Sequence, residues 1–165
     1  MLLERLSSDA RVDSVLLVAR YESYLNGPEA KVFEEGLRAS ISQLRQAGKR
    51  VLLLDPVPTY RYPIPAALAQ LWRRGEALES HGQTRLQYET RQAAALALVA
   101  RLVASGEAER VSVESLFCAG ERCDVVDGGS SLYFDDNHLS MHGGDRVARS
   151  VVQLLNTPAK PKAAD

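Results

Sequence analysis

The stretch VDSVLLVA at residues 12–19 is a short, nearly continuous apolar run rich in Val and Leu. Such a run matches a strand buried on both faces. Residues 28–47 follow with helical character. Pro28 suits a first turn, Glu29, Glu34 and Glu35 lie early, and Val32, Phe33, Leu37, Ile41 and Leu44 recur on one face. Gly48 stops that helix. Val51-Leu52-Leu53-Leu54 then reads as a second buried strand, closed by Asp55-Pro56. Two strands joined by a helix make a βαβ unit, and with it a parallel sheet.

The alternation continues outward from that unit. Residues 56–65 hold four prolines and form an ordered loop. A helix is expected from 66 to about 74, a longer one over 84–104, a third strand over 110–113 and an amphipathic helix over 140–155. Trp72 and Phe33 are core candidates, and His81 is a solvated loop residue. Residues 1–156 are expected to form one α/β domain. Residues 157–165, rich in Pro, Lys and Ala, form a disordered tail. In open α/β sheets a site lies at the carboxyl ends of the strands. The loops after Ala19, after Leu54 and before the last helix are therefore the ones to search.

Composition narrows the function classes. The chain has 165 residues, 45% apolar and 25% charged, with a formal net charge of −1. It has no basic stripe to neutralise phosphates, which argues against a nucleic-acid partner. No apolar run approaches a membrane span, and residues 1–13 lack the pattern of a signal peptide.

The chemistry concentrates in Asp135-Asp136-Asn137-His138. A base in acyl transfer takes a proton from a nucleophile and returns it to a leaving group, and imidazole titrates in the right range. A carboxylate must fix its tautomer and support the imidazolium. A D-x-x-H turn can supply both groups within one tight loop. The spacing alone serves equally well for Asp136 or Asn137 capping the last helix, with His138 merely at the surface. A further alternative takes His138 and His142 as metal ligands at one-turn helical spacing, joined by Asp135 or Asp136. The glutamate of an H-E-x-x-H site is absent.

The surrounding residues add weight to the first reading. Leu132-Tyr-Phe-Asp-Asp-Asn-His-Leu-Ser-Met-His-Gly143 resembles the final block of SGNH hydrolases. It is most similar to the version in membrane O-acyltransferases that carry a periplasmic SGNH domain. That pattern runs aromatic pair, Asp-Asp, His-Leu-Ser, two variable residues and Gly-Ala, and this chain has Gly144 in place of the Ala. VLLVARYESY at residues 15–24 resembles the family strand ending in Ala-Arg-Trp, with Tyr21 for the Trp. Cys118-Ala-Gly-Glu-Arg-Cys123 resembles the family's Cys-x4-Cys hairpin. The likeness covers residues from about 13 to 155, and its final block is the specific part.

The resemblance implies a three-layer, flavodoxin-like α/β fold with a parallel sheet. It implies esterase or O-acyltransferase chemistry on a cell-surface carbohydrate, at the periplasmic side of the inner membrane, without a metal or organic cofactor. His138 would be the general base and Asp135 its orienting acid, with Asp136 the other candidate for the acid. The family nucleophile is a serine in a Gly-Asp-Ser block on the first strand. This chain contains no Gly-Asp-Ser and no G-x-S-x-G elbow. Ser130 follows Gly128-Gly129 and reads as a flexible linker residue. The nucleophile strand and a membrane acyltransferase segment are thus expected upstream, with Met1 an internal methionine and residues 2–7 the tail of a helix. A non-catalytic glycan-binding or partner-completing remnant is the competing reading. Arg20 could stabilise an oxyanion, and a structural salt bridge serves it equally well. Cys118 and Cys123 read as a disulfide formed in an oxidising compartment.

Overall fold

Val51, Leu52, Leu53 and Leu54 are all buried, and successive side chains of a strand point to opposite faces. Both faces of this strand must therefore be covered. A computed structural model describes residues 2–157 and shows how. The strands β1 (Ser14–Leu17), β2 (Arg50–Leu54) and β3 (Glu109–Val111) form a parallel sheet in the order β1-β2-β3, with Val15 opposite Val51 and Leu54 opposite Val111. Val51 and Leu53 pack with Ile41 and Leu44 of α3 (Ala30–Gln46) and with Leu98 and Leu102 of α6 (Ala93–Ala104). Leu52 and Leu54 face the other way. They pack with Leu68 of α4 (Ile64–Arg73), Tyr88 of α5 (Arg85–Arg91) and Val147 of α8 (Met141–Leu155). This is a three-layer α/β arrangement with its middle strand dry on both sides.

The first strand departs from the expectation. It spans four residues rather than eight, only Val15 is buried, and Val18 just beyond its end is 63% exposed. The reason is position: β1 pairs with β2 on one side alone, so its other edge is open among the described residues. The amino-terminal helix α1 (Leu2–Ser8) lays Leu3 and Leu6 against the same layer as α3.

Three helices also differ from the sequence reading. Helix α3 starts at Ala30 with Glu29 as its N-cap, so Pro28 lies outside it. Helix α4 starts at Ile64 and takes Pro65 into its first turn, where a missing N–H costs nothing. The helix expected over 84–104 breaks at Gln92. That residue is buried, and its amide donates to Glu22 Oε2 and Thr59 Oγ1 instead of facing solvent.

Trp72 is not a core residue. It lies 74% exposed on the outer side of α4, whose inward positions are Ile64 and Leu68. Phe33 is half-buried and stacks on Tyr24 at 4.7 Å. Ser130 is no linker residue either. It opens β5 (Ser130–Ser131), which pairs antiparallel with β4 (Val126–Asp127) through a two-residue turn. Gly128 and Gly129 both have positive φ, 53° and 78°, as the tight hairpin turn that matches strand twist demands. At the carboxyl end, Thr157 bonds back to α8, and the remainder of the expected tail, 158–165, lies outside the described residues.

Candidate active site

The segment before α8 folds back on itself. Tyr133 and Leu139 form an antiparallel bridge, and the Phe134 N–H donates to the His138 carbonyl at 2.8 Å. Residues 134–138 thus form a closed turn. Asp135 fills it: Oδ1 accepts the N–H groups of Asn137 and His138 at 2.8 and 2.7 Å. Its Oδ2 lies 2.7 Å from His138 Nδ1. These donors, the backbone N–H of Asn137 first, hold the Asp135 carboxyl down to about 2. An ionised acceptor at Nδ1 makes that nitrogen the donor and leaves Nε2 as the basic lone pair. The His138 side chain is 74% exposed, and among the described residues its Nε2 makes no hydrogen bond.

Two alternatives from the sequence do not match this geometry. The last helix is capped by Ser140, whose Oγ accepts the Gly143 N–H, and neither Asp136 nor Asn137 caps it. His138 lies before the helix begins, so it does not share a helical face with His142. His142 instead meets Asp127 at 3.2 Å, beside an Arg146–Asp127 ion pair of 3.1 Å. Of the two candidate acids, only Asp135 touches the imidazole; Asp136 accepts from the Asn137 side chain.

The turn is joined to the rest of the fold by main-chain bonds. Its Asp136 carbonyl accepts the Tyr60 N–H at 2.8 Å, and its Asp135 carbonyl the Ile64 N–H at 3.1 Å. The proline-rich loop after β2 therefore touches the turn directly. On the other side the Ser140 N–H donates to the Leu132 carbonyl, and Ser140 Oγ donates to the Ser131 carbonyl at 2.6 Å. A Cβ on Gly143 would lie 2.1 Å from that same Leu132 carbonyl oxygen, so the first turn of α8 needs a glycine there. At Gly144 nothing lies within 4 Å, and the space could accept the alanine usual in the related block.

Arg20, at the carboxyl end of β1, lies 3.4 Å from Glu22, and both ends of that pair belong to the same short segment. Glu22 in turn accepts from Thr59 Oγ1, which ties the short helix after β1, Tyr21–Leu25, to the loop after β2. Cys118 and Cys123 form a disulfide with Cα atoms 4.0 Å apart, both fully buried. Its loop docks on the segment before α5: the Cys123 N–H donates to the Gln83 carbonyl, and the Arg85 N–H to the Glu121 carbonyl. His81, in that segment, is half-buried rather than solvated. Burial, then the Arg122 charge, lowers its pKa.

Sequence reasoning missed Ser140 as a cap and Gln83, Arg91 and Gln92 as inward-facing groups. It also missed Asp55, whose buried carboxylate pairs with Arg110 at 2.8 Å and accepts the Val113 N–H. A helix end after His-Leu-Ser was a usable signal for the first; the others depend on contacts between distant segments.

The fold is thus a parallel α/β sheet with an acid–imidazole pair in the loop ahead of its last helix. The model of the SGNH domain found fused to AT3 domains matches residues 2–153, and the chain belongs to that family. Among solved structures it is similar to the periplasmic domain of a lipopolysaccharide acetyltransferase from Salmonella ser. Paratyphi A. That likeness has a TM-score of 0.68 and 14% identity, over 94% of this chain and 60% of the other. At that identity it speaks for the fold. Comparison with curated proteins finds no match. Among the described residues, no helix is long and apolar enough to cross a membrane.

Proposed function

We propose that this chain supplies the Asp135–His138 half of a Ser-His-Asp triad for O-acyl transfer or ester cleavage on cell-surface glycans. The observation that carries the reading is the 2.7 Å contact between Asp135 Oδ2 and His138 Nδ1, with the opposite ring nitrogen free. In this reaction His138 Nε2 takes the proton of a serine hydroxyl as the serine oxygen forms its bond to the acyl carbon. The same proton then passes to the leaving oxygen as the old ester bond breaks. In the second half, Nε2 takes a proton from the acceptor sugar hydroxyl or from water as that oxygen bonds to the acyl carbon, and returns it to the serine oxygen as the serine ester bond breaks. Asp135 keeps the ring in the required tautomer. Arg20, at the carboxyl end of β1, is the candidate to steady the oxyanion.

The serine comes from outside this chain. No serine among the described residues hydrogen-bonds to the His138 ring, and Ser130 is held in the β4–β5 hairpin. The open edge of β1 supports an added parallel strand as its carrier. Beside that edge, Leu17, Val18, Val32 and Leu37 line an apolar groove of about 400 Å³. The partner is a membrane acyltransferase segment of the AT3 type, and the place of action is the periplasmic side of the inner membrane. The absence of a serine at the imidazole also favours a second reading, in which the domain binds glycan without catalysis.

The test is His138→Gln in cells that carry the chain, with O-acetyl content of the surface glycan as the readout. Loss of acetyl groups at unchanged protein level supports catalysis. An unchanged acetyl content, with the glycan still bound, overturns it in favour of the second reading.

A further inference from the structure

Beside the proline-rich loop lies an open cleft of about 690 Å³, lined in part by Tyr60, Arg61, Tyr62, Gln83, Gln87 and Arg91. Two arginines line it and no carboxylate does. Neither arginine has an ion-pair partner among the described residues; Arg91 donates only to the Thr59 carbonyl. Arg38, Arg50 and Arg110, by contrast, are paired with Glu107, Glu109 and Asp55. The cleft therefore concentrates uncompensated positive charge in a concave surface, which is where an anion gains most from a planar guanidinium.

The cleft also carries an aromatic wall. Gln83 and Tyr60 are 7% and 6% exposed and form its floor, with the Tyr60 hydroxyl beside the Gln83 and Tyr133 side chains. Burial pushes the Tyr60 hydroxyl up to about 12, which keeps it neutral and able to donate. Tyr62 is 41% exposed and braced by the His81 ring at 5.4 Å. An exposed ring face beside polar groups and arginines suits a pyranose, which presents both C–H and hydroxyl surfaces.

We propose that this cleft is a subsite for an acidic sugar, a pyranose carrying a carboxylate. Arg61 and Arg91 hold the carboxylate, Tyr62 packs on the ring, and Gln87 reads its hydroxyls. The cleft adjoins the catalytic turn through Tyr60, whose N–H donates to the Asp136 carbonyl at 2.8 Å. A glycan seated here has its next units directed along the turn that carries His138. The assignment of this sugar as part of the acceptor rests on the acyl-transfer reading; the binding site itself does not.

The experiment is an NMR titration of the chain with two tetrasaccharides. One alternates glucuronic acid and N-acetylglucosamine, and the other contains N-acetylglucosamine only; sulfate alone is the third arm. The acidic sugar is expected to shift the Tyr62, Gln83, Gln87 and Arg91 signals and to saturate at least tenfold below the neutral one. Sulfate is expected not to saturate in that range. Arg61→Gln is expected to weaken the acidic sugar at least fivefold, and Arg73→Gln, outside the cleft, to leave it unchanged. The Arg61 side chain makes no hydrogen bond or ion pair among the described residues, so its variant stays informative even if Arg91→Gln unfolds the loop. Equal affinity for both tetrasaccharides, sulfate binding as tight as the acidic sugar, or shifts confined to another surface would overturn the proposal. His138→Gln separates the two readings: it is expected to abolish acyl transfer and leave this binding intact. Loss of binding with His138-dependent transfer preserved would remove the subsite alone.

Discussion

Asp135 holds His138 at two points, one oxygen on its main-chain N–H and the other on its imidazole Nδ1. The ring and the backbone that carries it are thus fixed by one carboxylate, within four residues. Replacement by Asn keeps the shape but offers an N–H toward Nδ1 in one amide orientation and weakens the acceptor in the other. Asp135→Asn is expected to lower turnover of the serine-complete enzyme by roughly 10⁴-fold, the scale seen for orienting acids in triads. The check is kcat for acetyl transfer, with KM little changed. A loss below tenfold would remove Asp135 from the triad.

The same contacts set a pH signature. The Asp135 carboxyl is held from 3.8 down to about 2 by its N–H donors and His138. A depressed folded pKa means the stabilisation is in place above the unfolded value near 3.8. It fades as pH falls toward about 2. The ¹³Cγ resonance of Asp135 is therefore expected to titrate with a midpoint near 2. A midpoint at or above 4 would show that the turn is not closed in solution.

Neighbouring glycines of α8 are expected to respond in opposite senses. Gly143→Ala forces a methyl group onto the Leu132 carbonyl and is expected to cost about 1–3 kcal/mol. Gly144→Ala meets open space and gains helix propensity, up to about 1 kcal/mol. Chemical denaturation of the two variants gives the comparison, and equal effects would contradict the packing described for the first turn.

The disulfide closes a short loop, so its chain-entropy contribution is about 2 kcal/mol. Cys118→Ala with Cys123→Ala is expected to lose about that much stability. Because the loop docks on Gln83 and Arg85, hydrogen exchange is expected to rise at 82–86 before it rises in the sheet. Uniform exchange across the domain would mean the bond does not act on that segment.

If a parallel strand completes β1, its addition covers an open edge and the apolar groove beside it. Fusion of a Gly-Asp-Ser strand ahead of the chain is expected to raise the melting temperature by several degrees, on the scale of a few kcal/mol. It is also expected to confer esterase activity that requires His138. An unshifted transition would show that β1 needs no further partner.

The elements read correctly from sequence are the ones whose determinants are local. Val51 to Leu54 form a continuous apolar run because both faces of β2 are covered, and the run itself carries that information. The Asp135–His138 contact and the Cys118–Cys123 bond each close within six residues, so both partners lie in one local segment. Val18 and Trp72 look like core residues and are exposed, because what covers a side chain is decided by elements far away in sequence. Gln92 breaks a helix that its neighbours favour, since its partners Glu22 and Thr59 come from two other segments. The cleft was legible only in part: Arg61 lies in the proline-rich loop after Leu54, between two tyrosines that could line a substrate cleft, whereas Gln83 and Arg91 come from segments with no special local pattern.

Main-chain joints hold the His138 turn in place: Tyr60 and Ile64 on one flank, Leu132 on the other. Peptide groups are common to every residue type, so this attachment does not depend on which side chains decorate the turn. Phe134 and Met141, 76% and 93% exposed, stand on either side of the histidine without serving as struts. Those positions are consequently open to variation, and a lineage can exchange them while the His138 ring stays where it is.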